Sequence, residues 1–429
     1  MNLVERDIEV NWHPYTQMKT APLPIPIVKG QGTLLIDENG KEYIDAISSW
    51  WVNIHGHSHP YIAEKIFEQL NRLEHVIYAG FTHPSAVELS ERLLKILPEN
   101  QGKIFYSDNG STAVEVAIKM SIQYWKNQSI TRNKFVALKN AYHGDTFGAM
   151  SVGARSVFSE PFINYLFDVE YINVPVKGSE NETLNQLEAF LSKGNCSAFI
   201  FEPLMQGAAG IIIYEPEVLN KMLEICKKYN VLTIADEVAT GFYRTGKFLA
   251  TDHIIENPDI ICLSKALSGG TLPFAVTSVT NNIYEKFLSP DKSKMLLHGH
   301  SFAANPVGCA AALASLDLIE KDEFSKNLVR IENNHKRFLP RLIEHPAAEN
   351  CRMLGTILAF DVVSSEENSY YSSLRDSIWN YVIDKGVLLR PLGNTVYILP
   401  PYCITDDEMK KVYSVIMELL DSIKGEFSN

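Results

Sequence analysis

Three apolar runs end in polar residues of different kinds. Glu202 follows Ala198-Phe199-Ile200-Phe201, Asp236 follows Thr233-Ile234-Ala235, and Lys265 follows Ile261-Cys262-Leu263-Ser264. Short apolar runs of this kind are buried strands, and in open α/β sheets ligands bind at the carboxyl ends of the strands. A carboxylate and a lysine thus converge on one crevice. Taken alone, Asp236 and Lys265 fit a structural ion pair at least as well. Their chemical use would be different: a lysine amine held partly desolvated and near other cationic charge is a nucleophile for an aldehyde cofactor, which it holds as a Schiff base. An aspartate facing such a cofactor keeps a pyridine nitrogen protonated, and the ring then draws electrons from a carbanion.

A phosphate on that cofactor needs a cradle. Ser107-Asp108-Asn109-Gly110-Ser111-Thr112 leads directly into a helical run over 113–120, and the free N–H groups at a helix start bind anions. Gly110 lets the backbone approach closely, and the hydroxyls of Ser111 or Thr112 add donors; a plain helix cap accounts for the same residues. Tyr142-His143-Gly144-Asp145 offers an aromatic face for a flat heterocycle, as a core tyrosine also would. His55, His57 and His59 alternate as ligands on a strand do, but Gly56 and Pro60 interrupt them and no carboxylate or cysteine joins in. No metal site is expected.

The elements that must position these residues are legible as pattern. From about residue 56, β runs at 197–201, 231–235, 259–263 and 274–279 alternate with helical stretches, the signature of βαβ units and a mainly parallel sheet. Before them, runs at 33–36 and 42–45 flank Asp37-Glu38-Asn39-Gly40, a hairpin signal. Beyond about residue 320 the order is helix, strand, helix, strand, strand, helix, with β portions at 355–363 and 387–399. The expected architecture is α/β: a large domain over 56–319 and a smaller α+β domain from 1–55 and 320–429.

A chain of 429 residues is long enough for both, and a charge of −12 disfavours nucleic acid and anionic membranes as partners. The six cysteines form no C-x-x-C pair and are expected to be buried reduced thiols. Charges stand where a secretory signal needs an apolar core, and no apolar run approaches the roughly 20 residues of a membrane span, so a cytoplasmic protein is expected.

The stretches GSTAVEVAIKM, YHGDTFGAMS, FEPLMQGAAG, IADEVATGFYRTGKF, LSKALSGG and HGHSFAANPVGCAAA, in that order, resemble the class III aminotransferases over nearly the whole chain. Within the family the resemblance is to the biotin-synthesis branch, which aminates 8-amino-7-oxononanoate. It rests on Trp12-His13-Pro14-Tyr15-Thr16, on Trp50-Trp51 before Ile54-His55-Gly56, on Ala239 where other branches have glutamine, and on Arg390-Pro391 followed by Tyr397-Ile398-Leu399-Pro400-Pro401-Tyr402. The resemblance implies a fold-type I enzyme with pyridoxal 5'-phosphate on Lys265, and Asp236 on the ring nitrogen. Gly110 and Ser111 would hold the phosphate, and Tyr142 and Val238 the two faces of the ring. Substrate would fall to Tyr15, Trp50, Tyr142, Gly299, Arg390 and Tyr397. The resemblance also implies a homodimer whose loop 298–302 completes the partner's site through His300 and Ser301; His300 stands where the branch often has proline, Ser301 replaces threonine, and Tyr243 replaces a common glycine. S-adenosylmethionine is the donor implied, consistent with Tyr15, and a lysine-using variant exists in the family's range. The competing readings are a class III ω-amino acid or ornithine aminotransferase, and a pyridoxal-phosphate-binding scaffold without turnover.

Overall fold

The computed structural model describes residues 1–364 and 372–426. After a short helix at Leu3–Val10, the chain forms an antiparallel meander of β1 (Ile27–Gln31), β2 (Leu34–Asp37) and β3 (Glu42–Asp45). At the Asn39-Gly40 turn, Asp37 Oδ1 accepts N–H groups from Asn39 and Lys41 at 2.9 Å each, so a short side chain takes over where the ladder stops.

Apart from a short ribbon of Met205–Gln206 with Ile212–Ile213, seven strands follow up to Thr280: β4 (Gln101–Ser107), β5 (Lys134–Leu138), β6 (Val169–Ile172), β7 (Cys196–Phe201), β8 (Leu232–Asp236), β9 (Ile260–Leu263) and β10 (Ala275–Thr280). They form one sheet in the order β4-β10-β9-β8-β7-β5-β6. Every neighbouring pair is parallel except the two that include β10, which runs antiparallel to β9 and to β4. Strands β7, β8 and β9 are buried at every position, which is why they read as uninterrupted apolar runs. The reversed direction of β10 is a finding the sequence pattern could not carry, since apolar alternation is blind to strand direction.

Register decides what meets at the sheet's edge. Ala235 pairs with Phe201 and Asp236 with Cys262, so Glu202, Asp236 and the segment entering Lys265 lie side by side at the carboxyl ends of β7, β8 and β9. Helix α1 (Gly110–Asn127) starts at the same edge, three residues after β4 ends. Its apolar face, with Ala113, Val114 and Ala117, packs on the sheet.

The last part of the chain comprises α2 (Pro306–Ile319), α3 (Asp322–Ile343), β11 (Ala348–Leu354), β12 (Ile357–Val362), a helix over Ser373–Asp384, β13 (Val387–Leu388), β14 (Thr395–Ile398) and a final helix, α4 (Asp406–Glu426). Strands β11, β12 and β14 form an antiparallel sheet, whereas β13 joins β3 in parallel. The β portion expected over 387–399 is therefore two strands in different sheets; Pro391 and Gly393 lie between them and break the ladder. The two chain ends share a sheet through β3 and β13. Two cysteines depart from the all-buried expectation: Cys351 sits half-buried on edge strand β11, and Cys403 is exposed in the turn before α4. Among the described residues no helix is long and apolar enough to cross a membrane.

Candidate active site

A cavity of about 740 Å³ opens at the carboxyl edge of the sheet, and its walls include Lys265, Asp236, Glu202, Tyr142, Gly110 and Val238. Ser111, Tyr15 and Trp50 complete the set of sequence-predicted residues that the fold brings to it. Lys265 takes a left-handed backbone (φ 44°) as the chain leaves β9, and its Nζ stands 4.7 Å from the centre of the Trp51 ring. Burial lowers its amine to about 8, against the opposing pull of the Asp236 and Glu202 carboxylates.

Asp236 is anchored on both oxygens. Its Oδ2 lies 2.7 Å from Nδ1 of His143, and its Oδ1 accepts the Val238 N–H at 3.1 Å. His143 is buried, and its Nε2 finds no partner among the described residues. Nothing local in the sequence gives His143 a role; its partner is 93 positions away, and only the fold makes the pair. Glu202 is 4% exposed, and its two oxygens accept the N–H groups of Tyr142 at 3.0 Å and Gly207 at 2.9 Å. Burial pushes this carboxyl up to about 7, with His143 and the backbone N–H groups pulling the other way.

Two glycines at the start of α1 and beside it have no room for a side chain. A Cβ on Gly110 would lie 2.7 Å from Val238 Cγ1, and one on Gly144, at φ 123°, would lie 2.0 Å from Ser111 Oγ. Asn109 caps the helix by accepting the Thr112 N–H at 3.0 Å, and the first N–H groups of α1 have no carbonyl partner within the helix. A flat ring bearing an aldehyde and a phosphate finds each group it requires here: an amine that gives up its proton easily, an anchored carboxylate and a bare helix start.

At the mouth, the rings of Tyr15 and Trp50 are 5.5 Å apart; Arg390 lines neither cavity, and its guanidinium lies 4.8 Å from the centre of the Trp50 ring. The Tyr15 hydroxyl donates to Asp145 and lies 3.5 Å from that of Tyr142. Tyr397 is not on the cavity wall: buried behind Trp51, its hydroxyl accepts the indole N–H at 3.0 Å and so reaches the cavity through that ring. A second cavity, about 800 Å³, shares Tyr142, Gly144 and Asp145 with the first and continues past Phe158 to Gly210 and Leu392.

Gly299, His300 and Ser301 line neither cavity. His300 Nδ1 is 2.9 Å from Asp108 Oδ2, so the loop lies beside the helix start of its own chain, with Phe302 mostly exposed. Of the histidine triplet, His55 bonds Ser315 and His57 bonds Asp45; among the described residues no group of His, Cys, Asp and Glu is arranged to hold a metal ion. Tyr243, left-handed at φ 69°, packs its ring on Phe248 and Phe324.

Residues 15–420 match the family model described as aminotransferase class III. The chain is 46% identical over 420 residues to the adenosylmethionine-8-amino-7-oxononanoate aminotransferase of Synechococcus elongatus, covering 96% of this chain and 98% of that one. The solved structure of the enzyme of that name from Methanocaldococcus jannaschii superposes with a TM-score of 0.92 at 36% identity, covering 97% of this chain and 98% of that one. An amine transaminase from an uncultivated Pseudomonas species, solved in its pyridoxal-phosphate-bound form, superposes with a TM-score of 0.89 at 28% identity over 95% and 97% of the two chains.

Proposed function

We propose, for a chain that belongs to the class III aminotransferases, that it is a pyridoxal-phosphate-dependent enzyme transferring an amino group to 8-amino-7-oxononanoate, with S-adenosylmethionine as donor, in biotin synthesis. The observation that carries this reading is the buried Lys265 amine, lowered to about 8 beside Asp236 and Glu202 at the floor of a cavity rimmed by Tyr15 and Trp50.

Pyridoxal phosphate, when bound, supplies an electron-withdrawing ring that makes the carbon next to an attached nitrogen acidic. Lys265 Nζ is its covalent anchor. With the cofactor bound and the donor's amine in place of the lysine, Nζ would be the base that takes the proton from the donor's α-carbon and delivers it to the former aldehyde carbon, two atoms along, and it would carry the proton the opposite way for the acceptor. Asp236, held by His143, would be the partner of the ring nitrogen. Gly110 and Ser111, at the start of α1, would receive the phosphate, and Tyr142 and Val238, on the same cavity wall, would take the ring's two faces. Tyr15 and Trp50 close over the reacting atoms and exclude water. Arg390, stacked on Trp50, receives the carboxylate at the far end of the acceptor's apolar chain, since a guanidinium fork matches a carboxylate in two parallel hydrogen bonds.

The enzyme works as a homodimer in which residues 298–302 of one subunit reach the other's site, His300 and Ser301 toward the phosphate and Gly299 toward substrate. The exposure of Leu297 just before that loop and of Phe302 at its end supports this. The cytoplasm is the compartment that fits such a biosynthetic enzyme. Single-turnover mixing tests the whole reading: S-adenosylmethionine should convert the bound cofactor to its amine form, and 8-amino-7-oxononanoate should convert it back. Conversion by lysine alone would overturn the donor, and return only by pyruvate or 2-oxoglutarate would overturn the acceptor.

A further inference from the structure

The sequence draws attention to three polar strand ends, and two of them, Asp236 and Lys265, are accounted for by the chemistry above. Glu202 is not. Three acids line the cavity, and they differ in what already holds them. Asp236 is engaged by His143, and Asp145 receives the Tyr15 hydroxyl. Glu202 takes one backbone N–H on each oxygen and no side-chain donor, and among the described residues no Lys, Arg or His bonds it. A carboxylate has about four acceptor positions, so two remain.

An acid buried without a cation is expensive to keep ionised, and the rise of Glu202 to about 7 records that cost. The two backbone N–H groups account for a side chain with two acceptor oxygens, since a carboxamide would set its NH2 against one of them. They do not use the two remaining acceptor positions, which are open to a donor that enters the cavity. Glu202 follows the strand beside that of Asp236, and its charge bears directly on the Lys265 amine, so it borders the place where the substrate carbon reacts.

The proposed acceptor carries an ammonium on the carbon next to its ketone, and its product carries two neighbouring ones. Resting on that reading of the acceptor, we infer that Glu202 receives the ammonium adjacent to the reacting carbon and makes the site selective for an amino-ketone over a plain ketone. Tyr142 and Gly207 set the direction of its free lone pairs. Glu202 is thus a specificity residue for the acceptor, and the proton transfers at Lys265 do not run through it.

The test is equilibrium binding to the holoenzyme by calorimetry, with 8-amino-7-oxononanoate and with the same keto acid lacking the amine. The wild-type protein should prefer the amine-bearing ketone, and Glu202→Gln should reduce that preference by roughly 10- to 100-fold, the effect of losing one charge-assisted hydrogen bond. Glu202→Asp, which keeps the charge, should retain more of the preference than Glu202→Gln; a merely structural role would make the shortened side chain the worse of the two. Equal preference in Glu202→Gln and wild type overturns the inference while leaving the proposed reaction standing. A wild-type protein that binds neither ketone overturns the proposed reaction and this inference with it. A crystal of the wild-type holoenzyme soaked with the amino-ketone needs no variant: its ammonium should lie within hydrogen-bond reach of Glu202, and an ammonium directed at Asp145 or at solvent contradicts the assignment.

Discussion

At Lys265 burial and charge pull in opposite directions, and burial prevails: the amine settles at about 8 despite two carboxylates nearby. A base whose value is lowered gains its neutral form above the new value, so about half of the Lys265 amine is neutral at pH 8, where an ordinary lysine is almost wholly charged. Uptake of pyridoxal phosphate by the cofactor-free protein should therefore accelerate through about pH 8 and level off above it. Stopped-flow absorbance across pH 6.5 to 10 measures this, and a rate still climbing past pH 10 would show an unperturbed amine. Lys265 and Asp236 were legible in the sequence because each ends an apolar run, and a run's end in a parallel sheet is a known place. His143 and the free acceptors of Glu202 were not, since both depend on which loops fold over the strand ends.

The helix α1 shows how much an element's start can demand of its residues. The Gly110 Cβ position is already filled by Val238, so Gly110→Ala forces one of the two to move. Overpacking of this kind costs about 1–3 kcal/mol, and because the displaced atoms line the cavity, the variant should lose cofactor affinity by more than it loses melting temperature. Fluorescence titration of the cofactor alongside thermal unfolding separates the two; unchanged affinity would mean that the cradle lies elsewhere. The strands β7, β8 and β9 were readable within a residue or so, being buried at every position. Strands β1 and β11 were missed because they are largely or partly exposed and carry Lys29, Glu349, Asn350 and Arg352 in place of an apolar run. The splitting of 387–399 between two sheets follows from pairings with β3 and β12, contacts more than thirty positions away that no local pattern encodes.

For the whole molecule, the loop at 298–302 is the part whose role one chain does not complete. His300 touches Asp108 on the outside of the helix start, and Gly299 and Ser301 face no cavity of their own subunit. If the loop serves a neighbouring subunit, a Lys265→Ala protein and a His300→Ala, Ser301→Ala protein, each nearly inactive, should recover activity when unfolded together and refolded. Equal mixing makes half the dimers mixed with one sound site apiece, so recovery should approach about a quarter of wild type. No recovery, with dimers present by sedimentation, would place the loop in its own subunit. Borohydride reduction of the purified holoprotein followed by peptide mapping tests covalent attachment at Lys265 most directly: the reduced cofactor should be found on the peptide containing Lys265 and on no other. A label fixed to a different lysine, or none at all on a protein saturated with pyridoxal phosphate, would contradict it.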